Sequence, residues 1–225
     1  MVVNPYTFGS EPHGRDRKVI RPTGVFNRII FPSLKLNRPV HCEGDNERDA
    51  VALLEVMPDV RAYQEQPQVE LSVQIDGKWR QVYPDLLVEF QDGTSEIRDV
   101  VRSRTLKHPE QHERYRSIGR RCRDLGFTYH LWTDQDIARQ PRLDTANTIC
   151  WHGRSSLPEE TVAEARACLG ICETVGELRR RLNVSRDDIC ALVLQGYIAV
   201  EIDGGLGDLA QILGRGWRDE TRFAK

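Results

Sequence analysis

Tyr83-Pro84-Asp85-Leu86-Leu87-Val88-Glu89-Phe90, then Gln91-Asp92-Gly93-Thr94, then Ser95-Glu96-Ile97-Arg98-Asp99-Val100-Val101-Arg102 is the stretch on which the reading of this chain turns. An Asp-Gly pair between two apolar runs is a strong short-range hairpin signal. Period-two spacing in the returning strand puts Ile97, Asp99 and Val101 on one face, and the hairpin sets Asp85 beside Asp99. Upstream, Asp45-Asn46-Glu47-Arg48-Asp49 opens a helical pattern in which Glu47, Val51 and Leu54 share a face by i, i+4, i+7 spacing. Glu47 therefore points with the apolar stripe. An inward carboxylate is costly without a partner, and three arriving together suggest a hard divalent cation. Each acid also has a plainer role: Glu47 suits the first turn of a helix by its dipole, and Asp85 after proline suits a turn.

Outward from this stretch, the helix begun at Asp45 stops before Pro58, which cannot continue the hydrogen-bond ladder. Val69, Leu71, Val73 and Ile75 alternate with polar residues, and Asp76-Gly77 turns the chain into Trp79 to Tyr83, a second hairpin. From Pro109 to Leu125, Tyr115, Ile118, Cys122 and Leu125 recur at helical spacing while Arg114, Arg116, Arg120, Arg121 and Arg123 crowd the remaining surface. Those arginines suit phosphates or simply a solvated helix face. Phe127 to Trp132 reads as a strand, and Thr133 to Asp136 as the cap of a short helix. The order is helix, at least three strands, helix, strand, an α/β arrangement.

The ends differ from this centre. Residues 1–20 are polar and carry Arg15, Arg17 and Lys18, which predicts a flexible basic arm. Residues 21–153 form the main domain. From 154 to 225 three short helices are predicted, starting near Leu157, Thr174 and Ser185, followed by Gly196 and a strand, the pattern of a small winged-helix-like module. Its acids slightly outnumber its bases, which favours a protein partner over DNA.

The chain has 225 residues, 39% hydrophobic and 29% charged, with a formal net charge of -2. That total hides segregation. Residues 1–40 carry seven Lys or Arg against two acids, residues 43–96 thirteen acids against four bases, and residues 98–123 nine bases against three acids. An acidic centre between basic blocks suits a metal site within a phosphate-binding surface. The six cysteines are scattered without a Cys-x-x-Cys pair, which predicts buried thiols and no zinc. No segment has the apolar length to cross a bilayer and the N-terminus lacks a signal-peptide core, so a cytoplasmic location is expected.

The succession of inward Glu, strands, Pro-Asp, hairpin and acid-x-x resembles the PD-(D/E)xK restriction-endonuclease-like superfamily, a mixed sheet flanked by helices. More narrowly it resembles TnsA, the endonuclease subunit of heteromeric cut-and-paste transposases. The narrower likeness rests on Phe31-Pro32-Ser33-Leu34-Lys35, Arg38-Pro39-Val40-His41, Glu47-Arg48-Asp49, Glu65-Gln66-Pro67, Tyr83-Pro84-Asp85, the Asp92-Gly93 hairpin and Leu125-Gly126-Phe127 to Asp136-Ile137, over about residues 20–150. The resemblance implies that Glu47, Asp85 and Asp99 hold Mg2+, with Mn2+ as the alternative. It implies nicking of the strand at transposon ends that a separate DDE transposase leaves uncut, and an AAA+ transposition regulator as a further partner. For DNA contacts we single out Lys35, Arg38, Arg102, Arg104, Lys107, Arg116 and Arg120. The departure from the family is Val101, which fills the lysine slot of acid-x-Lys. Loss of a positioned group of that kind costs on the order of 10² to 10⁴ in rate. The alternative is a catalytically disabled TnsA-like subunit acting in transpososome assembly and DNA binding.

Overall fold

A computed structural model describes residues 28–69, 71–75 and 77–218. The arm expected over residues 1–20 and the turn residue Asp76 lie outside the described residues. The described chain falls into two compact units, one of residues 28–48 and 62–137 and the other of 49–61 and 138–218.

In the first unit, β1 (Ile29–Ser33) and β2 (Arg38–Cys42) form an antiparallel pair. Helix α1 (Asp45–Val56) begins here with Asp45 and Glu47 in its first turn, where acids oppose the helix dipole favourably. Strand β3 (Val60–Glu65) is followed by the hairpin β4 (Leu71–Ile75) and β5 (Lys78–Val82), then by β6 (Leu86–Phe90) and β7 (Ser95–Val101). The turn between β6 and β7 is closed by Gly93 at φ +83°, a left-handed conformation that costs glycine little. Asp92 locks the turn by accepting from the Thr94 N–H at 2.9 Å and its hydroxyl at 2.6 Å.

A 3₁₀ turn (Ser103–Lys107) leads into α2 (Pro109–Asp124), with Pro109 at the first helical position and Gly126 at φ +85° just past the end. Strand β8 (Thr128–Thr133) and the short α3 (Asp134–Ile137) complete the unit. The main sheet has the order β3-β6-β7-β8, with β6 and β7 antiparallel and β7 and β8 parallel. This four-stranded mixed sheet with its helices fits a restriction-endonuclease-like core. Its apolar centre joins Leu71, Val73 and Val82 of the β4–β5 hairpin, Leu87 and Ile97 of the sheet, and Ile118 and Cys122 of α2. The apolar stripe of α2 is thus consumed by the core, which leaves Arg116, Arg120 and Arg123 exposed while Arg114 and Arg121 are half-buried.

The second unit contains the rest of α1 together with α4 (Arg142–His152), α5 (Glu159–Ala167), α6 (Val175–Leu182), α7 (Arg186–Leu194), β9 (Ile198–Val200) and β10 (Ile212–Arg215). The sequence boundary drawn at 153/154 falls inside this unit, because α4 packs against α7. A side chain at Gly153 would meet the Cys190 carbonyl at 2.5 Å and Leu194 Cβ at 2.7 Å. Helices α6 and α7 each start with a reciprocal capping box, Thr174 with Glu177 and Ser185 with Asp188. Strands β9 and β10 pair antiparallel after α7. All six cysteines are buried, none in a disulfide. Among the described residues no helix is long and apolar enough to cross a membrane.

Two substitutions gauge these accounts. Ile97→Ala, at a fully buried position, is expected to cost about 2–5 kcal/mol, and Thr174→Ala, which removes one side of a capping box, about 1 kcal/mol. Urea unfolding of both variants checks the order. Equal effects would mean that the sheet core is far less closely packed than the burial of Ile97 indicates.

Candidate functional site

The register of β6 against β7 pairs Leu86 with Arg98, and its continuation sets Asp85 opposite Asp99. The two acids are tied through the backbone in both directions. The Asp85 N–H donates to Asp99 Oδ1 at 3.2 Å, and the Val100 N–H donates to Asp85 Oδ2 at 2.7 Å. Asp99 Oδ2 also accepts from the Tyr129 hydroxyl at 2.7 Å. Tyr129 reaches it because β8 runs parallel to β7 with Tyr129 beside Ile97, and because α2 carries Gly119 above the ring. A Cβ at Gly119 would lie 2.9 Å from Tyr129 Cδ1.

Strand alternation then separates the acids. Val100 and Arg102, two residues apart, line a hollow of about 270 Å³ with Glu43 and Glu47, whereas Asp99 turns to Tyr129. Glu47 caps its own helix entry by accepting from the Glu43 N–H at 2.7 Å. Glu43 in turn accepts from Gln66 Nε2 at 2.8 Å, and the other amide atom of Gln66, Oε1, is buried without a hydrogen-bond partner. Asp85 and Asp99 therefore meet as a pair with Glu47 within electrostatic reach. Among the described residues, no three His, Cys, Asp or Glu side chains gather as a metal-holding group.

The titration of these groups follows from their surroundings. Burial pushes Asp85 well above the usual carboxylate range, and the charges of Asp99 and Glu47 add to it against the Val100 N–H. Burial also raises Asp99, opposed by the Tyr129 hydroxyl, the Asp85 N–H and the charge of Arg114. Glu47 is pushed up to about 7 by burial and by the charges of Glu43 and Glu65, against the Glu43 N–H. Neighbouring carboxylates resist simultaneous ionisation, which favours the protonated form of each. Tyr129 is itself raised, by burial and by the charge of Asp99, so it stays a hydroxyl donor.

The basic positions divide. The Arg38 guanidinium is engaged as a fork with Glu65, at 3.0 and 2.7 Å, and Glu65 also accepts from the His41 N–H at 3.2 Å. Lys35 lies in the turn between β1 and β2 and is half-buried. Arg102, Arg104 and Lys107 are exposed at or in the 3₁₀ turn, and Arg116 and Arg120 are exposed on α2. Three residues near the acids carry no signal in the sequence, Glu43, Tyr129 and Gly119, and Arg114 reads there only as one of the surface arginines of α2. Arg114 is the cation facing Asp99, and it sits 5.2 Å from the centre of the Tyr115 ring. Tyr129 alternates with Phe127 in an apolar run, so only the tertiary pairing of β7 with β8 marks it.

The raised carboxyls make stability depend on pH. Glu47 rises from 4.5 to about 7 on folding, so between those values the folded chain binds more protons than the unfolded one. Stability must then fall as pH rises through that window, by at most about 3 kcal/mol from this group, and level off above it. Asp85 and Asp99 are shifted in the same direction and add to the fall. The thermal midpoint is expected to drop between pH 5 and pH 8, with a smaller drop in Glu47→Gln. Identical drops in the two proteins would remove Glu47 from the account.

Residues 57–134 match the family model described as TnsA-like endonuclease N terminal. The span includes Asp85, Asp99, Val101, α2 and Tyr129, while Glu47 precedes it. No curated protein matches the chain. The matched span, with its mixed sheet and its cross-strand pair of aspartates, is thus similar to the TnsA-like endonuclease N-terminal family over about a third of the chain.

Proposed function

We propose that this chain is a TnsA-like subunit of a heteromeric transposase that holds transposon-end DNA and partner subunits without itself cutting the strand. The observation that carries this reading is Val101, 8% exposed and two residues beyond Asp99, where the family has lysine. Valine can neither carry a proton nor stabilise charge on a phosphoryl oxygen. Neither nearby cation takes over the full role. Arg102 shares the hollow of Glu47 and Arg114 faces Asp99, but a guanidinium stays protonated at ordinary pH and cannot act as a base. Asp99 already accepts at both oxygens, which suits a structural tie.

The helices and strand pair of the second unit suit a winged-helix-like module that docks a protein partner, a DDE transposase or an AAA+ regulator. A second reading, strand nicking with Mg2+ or Mn2+, is favoured by the retention of Glu47, Asp85 and Asp99 within one electrostatic neighbourhood. Against it stands the finding that, among the described residues, the three do not gather as one metal-holding group.

Nicking of a plasmid bearing the transposon end, with the cognate transposase and either Mg2+ or Mn2+, separates the two. The chain as it stands is expected to give no nicks beyond those of the transposase and yet to be retained on the transposase–DNA complex. Val101→Lys is expected to raise nicking by on the order of 10² or more, the scale of a restored charge-stabilising group. Nicking by the unaltered chain that disappears in Asp85→Ala would establish the second reading instead.

A further inference from the structure

Helix α2, the 3₁₀ turn and β8 line a groove of about 480 Å³. One wall carries Arg116, Arg120 and Arg123. Their i, i+4, i+7 spacing sets three guanidinium groups along one stripe about 10 Å long. All three are exposed, and none forms an ion pair or hydrogen bond among the described residues. No carboxylate lines the groove. An overall acidic chain that leaves three neighbouring arginines without an ion pair among the described residues has a surface arranged for an external anion.

The floor is of another kind. Leu106 and Leu131 are half-buried there beside the rings of Tyr115 and Tyr129. Duplex DNA would meet the arginines through its phosphates and leave this apolar, aromatic floor unused, because its bases are stacked on one another. An unpaired strand offers both phosphates and base faces, and a cationic wall beside aromatic rings is the combination that binds one. The same two tyrosines border the acid pair: Tyr129 donates to Asp99, and Tyr115 is raised by burial and by the charges of Asp99 and Asp85.

We infer that this groove binds an unpaired segment of DNA, with phosphates on Arg116, Arg120 and Arg123 and a base on Tyr115, and so leads a frayed or nicked end past the aspartates. The inference rests on the DNA-holding role proposed above and narrows it to one strand and one surface.

The test is fluorescence anisotropy of the full chain with a labelled single-stranded DNA 12-mer, its RNA counterpart and the duplex of the same length, at two salt concentrations. Single-stranded DNA is expected to bind at least tenfold more tightly than duplex. The double variant Arg116→Ala/Arg120→Ala, changed only at exposed positions, is expected to weaken that binding by about 10- to 100-fold and to lower the salt slope by about 1.4. Tyr115→Leu is expected to weaken it about tenfold through lost stacking, with a thermal midpoint measured alongside to show that the chain still folds. Equal or tighter binding of duplex, tighter binding of RNA, no binding of any oligomer, or a double variant that binds single-stranded DNA as before would each overturn the inference. Retention of the double variant on the cognate transposase is scored separately. If single-strand binding stands and retention fails in the unaltered chain, the assembly role falls and the groove remains.

Discussion

Two hydrogen bonds across one hairpin, from the Asp85 N–H to the Asp99 carboxylate and from the Val100 N–H to the Asp85 carboxylate, fix what the rest of the first unit can do. They hold two carboxylates beside each other in a largely buried place, an arrangement that is tolerable only if protons or donors offset it. The surroundings supply donors: a tyrosine hydroxyl on Asp99, backbone N–H groups on both acids, and the positive end of Arg114 beyond them. They also fix the register of β6 and β7, so a slip of one residue would turn Ile97 out of the core and the aspartates apart at once.

The same strand geometry explains why three acids placed in one neighbourhood do not form one cluster. Alternate residues of β7 belong to opposite faces, so Val100 and Arg102 look into the hollow of Glu47 while Asp99 and Val101 do not. Glu47 spends one oxygen on its own helix entry and feels Asp85 through space. What links the three is charge, and charge acts over distances at which coordination does not.

Much of this was legible in the residues themselves. Asp92-Gly93 between alternating runs gives the hairpin, and period two in Ile97, Asp99 and Val101 puts Asp85 beside Asp99. Helix α2 is equally plain, with a proline at its start, a glycine past its end and an apolar stripe between. Other features were hidden for physical reasons. Helix α4 carries Leu143, Ala146, Ile149 and Cys150 on one face, a usable signal, but its polar residues Thr145, Asn147 and Thr148 weaken the local propensity. Arg38 reads as a free cation in sequence, and only the return of β3 with Glu65 reveals its fork. Glu43 and Tyr129 acquire their partners through tertiary pairing, which no spacing rule reports.

Gly119 sits inside an arginine-rich helix where alanine would ordinarily be the better helix former. Its missing side chain leaves room for the Tyr129 ring that reaches Asp99. Positions 119 and 129 are therefore not independent letters of the sequence. A lineage that gains a side chain at 119 must trim or tilt the residue at 129, and with it gives up the hydroxyl on Asp99. Joint change at these two sites would be the trace, among descendants of this chain, of an acid pair released from its present partner.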